Sequence, residues 1–414
     1  MTTGRVIDAC RLCGSAELGK IISFGDVPLG NDLRETADEA RASAEYPLEL
    51  FRCGACGHFQ LGFAVLPTLL YATNYTYLSG ISASFVRHFE GYADWVQERC
   101  TLPTGGLVVD VGSNDGTALA AFQKRGLSVC GVDPAQMPAE IANRNGIPTL
   151  NTFFGDEAVS QIIAQHGHAD YVTSHNVLAH VDDLAGTFRA IHRLLKPGGY
   201  FGFEIGYFRD VFNNGYFDTI YHEHLDYHHA APLVKHLTKA GFDIIDLSTN
   251  TIQGGSLRLL ARKSEKPSVS AQAQAFLDEE RRSPINDPAA LAAWGGHIAE
   301  KMTLLKALVR ERIAAGKRVV GFGAPTKATL LLKMAGLSGG DVAYIVEDNK
   351  LKSGRFLPRT AIPILPSSQL EEEKPDVLLV LAWNFATDIL ARLKGSLPGT
   401  EAIVPLPQPT VTEL

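Results

Sequence analysis

The chain has 414 residues, 45% hydrophobic and 20% charged, with a formal net charge of −7. That length suits two or three domains with ordinary cores, and the acidic balance argues against a general nucleic-acid binder. No apolar run is long enough to span a bilayer, and the opening MTTGRVIDACRLC lacks the apolar stretch of a secretory leader, so a cytoplasmic location is expected.

Residues 1–65 carry four of the six cysteines, as Cys10-Arg-Leu-Cys13 and Cys53-Gly-Ala-Cys56. A CxxC knuckle turns tightly enough for two thiolates to face one ion, and two knuckles complete a tetrahedron. Four thiolates leave no open coordination position, so the spacing predicts a structural zinc stapling a module too small for a core of its own. Cys100 and Cys130 stand alone and read as semi-buried thiols. The polar stretch ETADEARASAE links the knuckles. A tyrosine-rich loop follows (Tyr71, Tyr75, Tyr77), then a helix from about Ser82 with Phe85, Phe89, Tyr92, Trp95 and Val96 at helical spacing.

From Leu107 strands and helices alternate. LVVDVG and SVCGVD read as strands flanking a helix over Thr117–Lys124. A helix around Ala158–Gln165 precedes the strand and turn ADYVTSHNVL. GTFRAIHRLLKPGGYFGFEI reads as helix, Pro-Gly-Gly turn and strand, and SLRLLARK as a further strand. This alternation predicts a parallel-type sheet with helices on both faces. A linker and helical segment over 266–315, with a helix from about Leu291 to Ala315, leads to a second strand, glycine turn and helix, KRVVGFGAPTKATLLLKMAG, over 316–414. The fold class expected is α/β: a four-cysteine module over 1–65, one Rossmann-like domain over 66–265 and another at the C-terminus.

The first glycine turn, VVDVGSNDG, lets backbone approach a ligand closely at a helix N-terminus. It lacks the GxGxxG spacing of a dinucleotide site and reads D-x-G-x-x-x-G from Asp110, with Asn114 where a middle glycine is usual. Asp133 ends the next strand, where a carboxylate can hold ribose hydroxyls. The turn resembles the nucleoside loop of class I S-adenosylmethionine methyltransferases. Asp133, SHNVLAHVDD and KPGG follow in the order of that class, ahead of the rival reading, a nicotinamide enzyme. The donor pocket is then expected from Asp110, Gly112, Ser113, Asn114, Asp133 and Asn176.

Residues Phe217–His229, FDTIYHEHLDYHH, hold four of the thirteen histidines. Neither frame fits a zincin: His222-Glu223 is followed at the fifth position by Asp226, and between His224 and His228 the glutamate position is Leu225. An acid/base strip remains. In the second unit, Pro325 suits a first helical turn and Lys327 lies near a helix N-terminus, a pairing suited to a diphosphate. VEDN, with Asp348, ends the next strand and is placed to touch a sugar or base.

The four-cysteine module, NYTYLSG, DVGSNDG with NVLAHV, IYHEH and GFGAPTKATLL…VEDNKLKSGRFLP together resemble the sugar C-methyltransferases that act on nucleotide-linked 4-keto-deoxyhexoses, over nearly the whole chain. The chain departs from that pattern at Ala328 and Leu331–Leu332, where a glycine and an asparagine are frequent. The resemblance implies C-methylation at C3 through an enolate, with His224 as base, Glu223 orienting or polarising a neighbour, and Tyr221 and Tyr75 donating to O4 or holding the hexose. It places His180 at the sugar, and Lys327 and Asp348 at the nucleotide, a deoxythymidine diphosphate in the usual case. His222, His228 and His229 are expected to be structural or surface residues, and Tyr71 and Tyr77 packing. Methylation at C5, a non-sugar keto substrate, and a non-catalytic zinc-stapled nucleotide-binding protein are the competing readings. No nucleic acid or membrane partner is expected.

Overall fold

The computed structural model describes residues 3–71, 78–81, 83–250 and 254–414. Tyr75 and Tyr77 lie outside the described residues.

In the N-terminal module, Leu18–Pro28, Glu45–Cys53 and Phe59–Leu61 pair antiparallel. The segment expected as a plain polar link holds a short helix, Ala37–Arg41, because Thr36 and Glu39 form a capping box that satisfies amides at its start. The sheet takes its fourth strand, Asp226–Tyr227, from the histidine-rich strip. The module's Phe24, Leu48 and Phe59 are buried in one core with Phe217, Trp294 and Leu331. It therefore borrows a core, as its size requires.

The central sheet runs in the order Phe242–Asn250, Ser256–Lys263, Leu195–Gly206, Ala169–His175, Leu107–Val111, Ser128–Val132, Thr149–Leu150. Ser256–Lys263 is antiparallel to both its neighbours, a departure from the expected parallel type. The few residues between Asn250 and Ser256 allow only a hairpin return, whereas a parallel return needs a crossover of a dozen or more. Lys196-Pro-Gly-Gly199 does not separate helix from strand. It lies inside the long strand and interrupts the parallel register between Leu195 and Tyr200. Ser128–Val132 and Thr149–Leu150 follow on one side of Leu107–Val111 and Ala169–His175 then returns to the other, a reversal that opens a crevice at the strands' carboxyl ends, where such sheets bind ligands.

The segment over 266–315 holds two helices, Ala271–Arg281 and the longer Pro288–Ala314, not one helix after a plain linker. Leu291, Trp294, Ile298, Met302, Leu305 and Val309 recur every three or four residues and are buried, so the longer helix packs as a core element. The C-terminal sheet orders Ile364–Pro366, Ile345–Glu347, Val319–Phe322, Val377–Val380, Glu401–Val404 and Thr410–Glu413, parallel except for the last strand. No helix among the described residues is long and apolar enough to cross a membrane.

Candidate active site

The turn after Leu107–Val111 is left-handed at Gly112 (φ 73°), Asn114 (φ 50°) and Gly116 (φ 79°). Asparagine is among the few side chains that tolerate this region, so Asn114 stands in for the missing glycine. Gly112 N–H donates to Val132 O (2.8 Å), and Asn114 N–H to Asp133 Oδ2 (2.8 Å). Asp133 Oδ1 accepts from Ala135 N–H (2.8 Å). A carboxylate offers about four acceptor positions, so Asp133 retains capacity for ribose hydroxyls. Beside it Asp110 is buried, its Oδ1 has no partner, and burial together with the charge of Asp133 pushes its carboxyl well up. The neighbouring strand ends in a second left-handed asparagine, Asn176 (φ 57°), whose N–H donates to Glu204 O (2.8 Å). Ser113 is buried, with its hydroxyl over Gly131 in the sheet and its N–H on Val132 O (3.1 Å). Asn114 Oδ1 and Asp115 Oδ2 accept from Ser79 N–H (2.9 Å) and Gly80 N–H (2.8 Å), tying the end of NYTYLSG to this turn. Orphaned Asp110, open positions on Asp133 and two left-handed turns suit a nucleoside. A Cβ on Gly112 would lie 2.3 Å from Val177 Cγ2 at a backbone angle alanine resists. Gly112→Ala is therefore expected to weaken donor binding about tenfold, roughly 1.4 kcal/mol, measured by calorimetry with S-adenosylmethionine.

The histidine strip runs alongside the segments that follow Ala169–His175 and Leu195–Gly206, with Phe208 N–H on His228 O (2.8 Å). Leu225 N–H donates to Ala179 O (2.7 Å), and Leu61 N–H to Leu225 O (2.9 Å), clamping the strip between the segment after Ala169–His175 and the N-terminal module. His224 Nδ1 faces Thr219 O (3.2 Å) and its Nε2 faces the Tyr221 hydroxyl (2.9 Å). A carbonyl only accepts, so Nδ1 carries the proton, Nε2 is the basic nitrogen, and Tyr221 donates to it. Burial and neighbouring His180, whose ring centroid is 4.7 Å away, hold His224 well below the ordinary histidine value, so it stands neutral. His180 Nδ1–H donates to Glu223 O (2.6 Å), and burial lowers its basicity too. Glu223 Oε1 accepts from Asn31 Nδ2 (2.9 Å). Burial pushes its carboxyl up to about 7, against the pull of Asn31 and of Lys352. The strip thus joins a neutral base, a phenol and a carboxyl poised near neutrality, the equipment of proton transfer.

The second half of the strip is buried, and no part of it is surface. His222 Nε2 meets Tyr46 O (3.2 Å). His229 bridges Gly57 O (3.0 Å) and Glu280 Oε1 (3.1 Å), and His228 packs 5.5 Å from His58, ring centre to ring centre. Sequence reading found no reason to bury them, because their partners come from elsewhere in the chain.

The four cysteine sulfurs lie within 4.8 Å of one another, with Cys10–Cys56 at 3.6 Å and Cys13–Cys53 at 3.7 Å. Thiolates about 2.3 Å from a tetrahedral zinc stand about 3.8 Å apart, so the set fits the ion. Between two of the ligands, Arg11 turns inward. Its Nε meets Asp226 Oδ1 (3.2 Å) and Oδ2 (3.1 Å), and its Nη2 donates to Val181 O (2.5 Å) and Asp182 O (2.8 Å). His58 Nε2 meets the same carboxylate (2.8 Å). Neither Arg11 nor Asp226 was singled out from sequence.

In the C-terminal unit, Gly323 N–H donates to Val346 O (2.8 Å), while Glu347 accepts from Ala324 N–H (2.8 Å) and Asn349 N–H (2.9 Å), repeating the Gly112–Asp133 arrangement. Lys327 is buried at the N-cap of Ala328–Ala335, with Nζ 2.7 Å from Asn384 Oδ1 and 3.6 Å above the Trp383 ring. Burial lowers its pKa to about 8 against the charge of Asp218. Asp348 is exposed and pairs with Arg392 (2.8 Å), whereas Glu347 occupies the position equivalent to Asp133.

Fold, cysteine set and crevice define a methyltransferase with S-adenosylmethionine as donor and a structural zinc site. Family models match in three parts: "Putative zinc binding domain" over 10–71, "Methyltransferase domain" over 85–247 and "C-methyltransferase C-terminal domain" over 251–407. C-methyltransferase NovU of Streptomyces niveus is 34% identical over 413 residues, 98% of this chain and 97% of that protein. The chain therefore belongs to the family of C-methyltransferases that includes NovU. Ubiquinone biosynthesis O-methyltransferase of Pseudomonas paraeruginosa is 35% identical over 108 residues, 26% of this chain and 46% of that protein. The solved magnesium protoporphyrin IX methyltransferase of Synechocystis with bound SAM overlaps 43% of this chain and 79% of its own, at 19% identity and a TM-score of 0.33.

Proposed function

We propose that the chain methylates C3 of a nucleotide-diphosphate-linked 4-keto-deoxyhexose through an enolate, with His224 as the general base. The observation that carries this reading is the His224–Tyr221 pair at 2.9 Å, held beside His180 and Glu223. A sugar C–H loses its proton only if an adjacent ketone spreads the resulting charge, so the site needs a base at C3 and donors at O4. Bound S-adenosylmethionine supplies an electrophilic methyl group.

His224 meets the first need. Its Nδ1–H is fixed on Thr219 O, and when Tyr221 turns its hydroxyl from Nε2 to the substrate's O4, the freed nitrogen takes the C3 proton. Glu223, whose carboxyl burial raises to about 7, donates a second hydrogen bond to O4 from its protonated form as charge develops there. His180 holds the backbone of Glu223 in place. Tyr75 is assigned to the hexose by resemblance alone. Lys327 and Asp348 are assigned to the nucleotide, the first as a buried cation at a helix N-terminus. The reaction is cytoplasmic and acts on a deoxythymidine-diphosphate carrier.

The test uses a deoxythymidine-diphosphate-linked 4-keto-6-deoxyhexose in deuterated buffer. NMR is expected to show exchange at C3 and, with S-adenosylmethionine added, a methyl group on that carbon. Methylation at C5 or at oxygen would refute the assignment.

A further inference from the structure

Glu223 is gripped from a distant part of the chain. Its carboxyl takes a hydrogen bond from Asn31 of the N-terminal module (2.9 Å). Asn31 follows Gly30, which is packed so tightly on the C-terminal glycine turn that a Cβ there would lie 2.2 Å from Thr326 O. That same turn anchors Lys352, whose Nζ–H donates to Ala324 O (2.8 Å). The segment that presents Asn31 to Glu223 is therefore braced on Ala324–Thr326 of the C-terminal unit, the turn that also holds Lys352.

We propose that Asn31 is a positioning residue for Glu223: it fixes the carboxyl's orientation, so the reaction centre is complete only where all three parts of the chain meet. The inference rests on the reading of Glu223 as a group that acts on the substrate. Its physical basis is that a side chain aimed at a developing oxyanion is effective only if held before the reaction begins.

A double-mutant cycle tests this, with methyl transfer from S-adenosylmethionine to a deoxythymidine-diphosphate-linked 4-keto-6-deoxyhexose as the assay. Asn31→Ala is expected to lower kcat about tenfold, with donor affinity by calorimetry unchanged. In a Glu223→Ala background the same change is expected to cost less than about twofold, because the group it positions is gone. An undiminished loss in that background, or wild-type kcat in Asn31→Ala, would overturn the positioning role alone. Wild-type kcat in Glu223→Ala itself would overturn the catalytic reading of Glu223 and the positioning role with it. If Asn31→Ala does not fold, Asn31→Ser, a donor of shorter reach, carries the same comparison.

Discussion

His224→Ala is expected to lower turnover about 10²–10⁴-fold, the usual contribution of a positioned general base. S-adenosylmethionine binding should be unchanged, since the residues we assign to the donor, Gly112, Asn114, Asp133 and Asn176, lie in the turns after Leu107–Val111, Ser128–Val132 and Ala169–His175 and not in the strip. Calorimetry and single-turnover kinetics separate the two effects, and wild-type turnover would eliminate His224 as the base. The pH profile adds a signature. Burial holds His224 well below the ordinary histidine value, so its basic form persists into mildly acidic solution. Glu223 acts as a donor only while protonated, so kcat should fall as pH rises through about 7. Glu223→Gln, which cannot ionise, should lower kcat and abolish that limb.

The second large effect is expected at Asp226, two residues beyond His224. Its carboxylate is fully buried against the nearly buried Arg11 and against His58. Removing one partner of a buried pair leaves the other charge uncompensated, at a cost of about 3–5 kcal/mol. Asp226→Asn should therefore lower the urea midpoint sharply and, through Arg11 between two zinc ligands, speed zinc loss to a chelator. A stability and zinc off-rate equal to wild type would show that the two ends are not coupled. Arg11 and His58 hold the Asp226 carboxyl below its ordinary value. Because the folded value is the lower one, the contribution is complete above the unfolded pKa of about 3.9 and fades as pH falls through the folded value.

The zinc set was legible because each knuckle is a local turn, in which four residues suffice to aim two thiolates. The glycine turn was legible for the same reason. Asn114, which reads as a departure from the pattern, supplies the left-handed angle that a glycine would have supplied. The strip FDTIYHEHLDYHH showed its composition but not its division of labour. His229 owes its burial to Glu280 and Gly57, and nothing within the strip distinguishes it from a surface histidine.

The residues that escaped sequence reading share one property, the distance along the chain to their partners. Asn31 and Glu223 are 192 residues apart, and Arg11 and Asp226 are 215. A lone asparagine after a glycine, or an arginine inside a zinc knuckle, has no spacing that identifies it.

From sequence alone come the zinc ligands, the donor turn, the alternation of strand and helix, and the acid/base character of the strip, because each depends on neighbours within a few residues. Only the tertiary structure decided which of those acids and bases is neutral, which is held, and by what. A pKa and an orientation are set by burial and by groups brought in from distant parts of the chain.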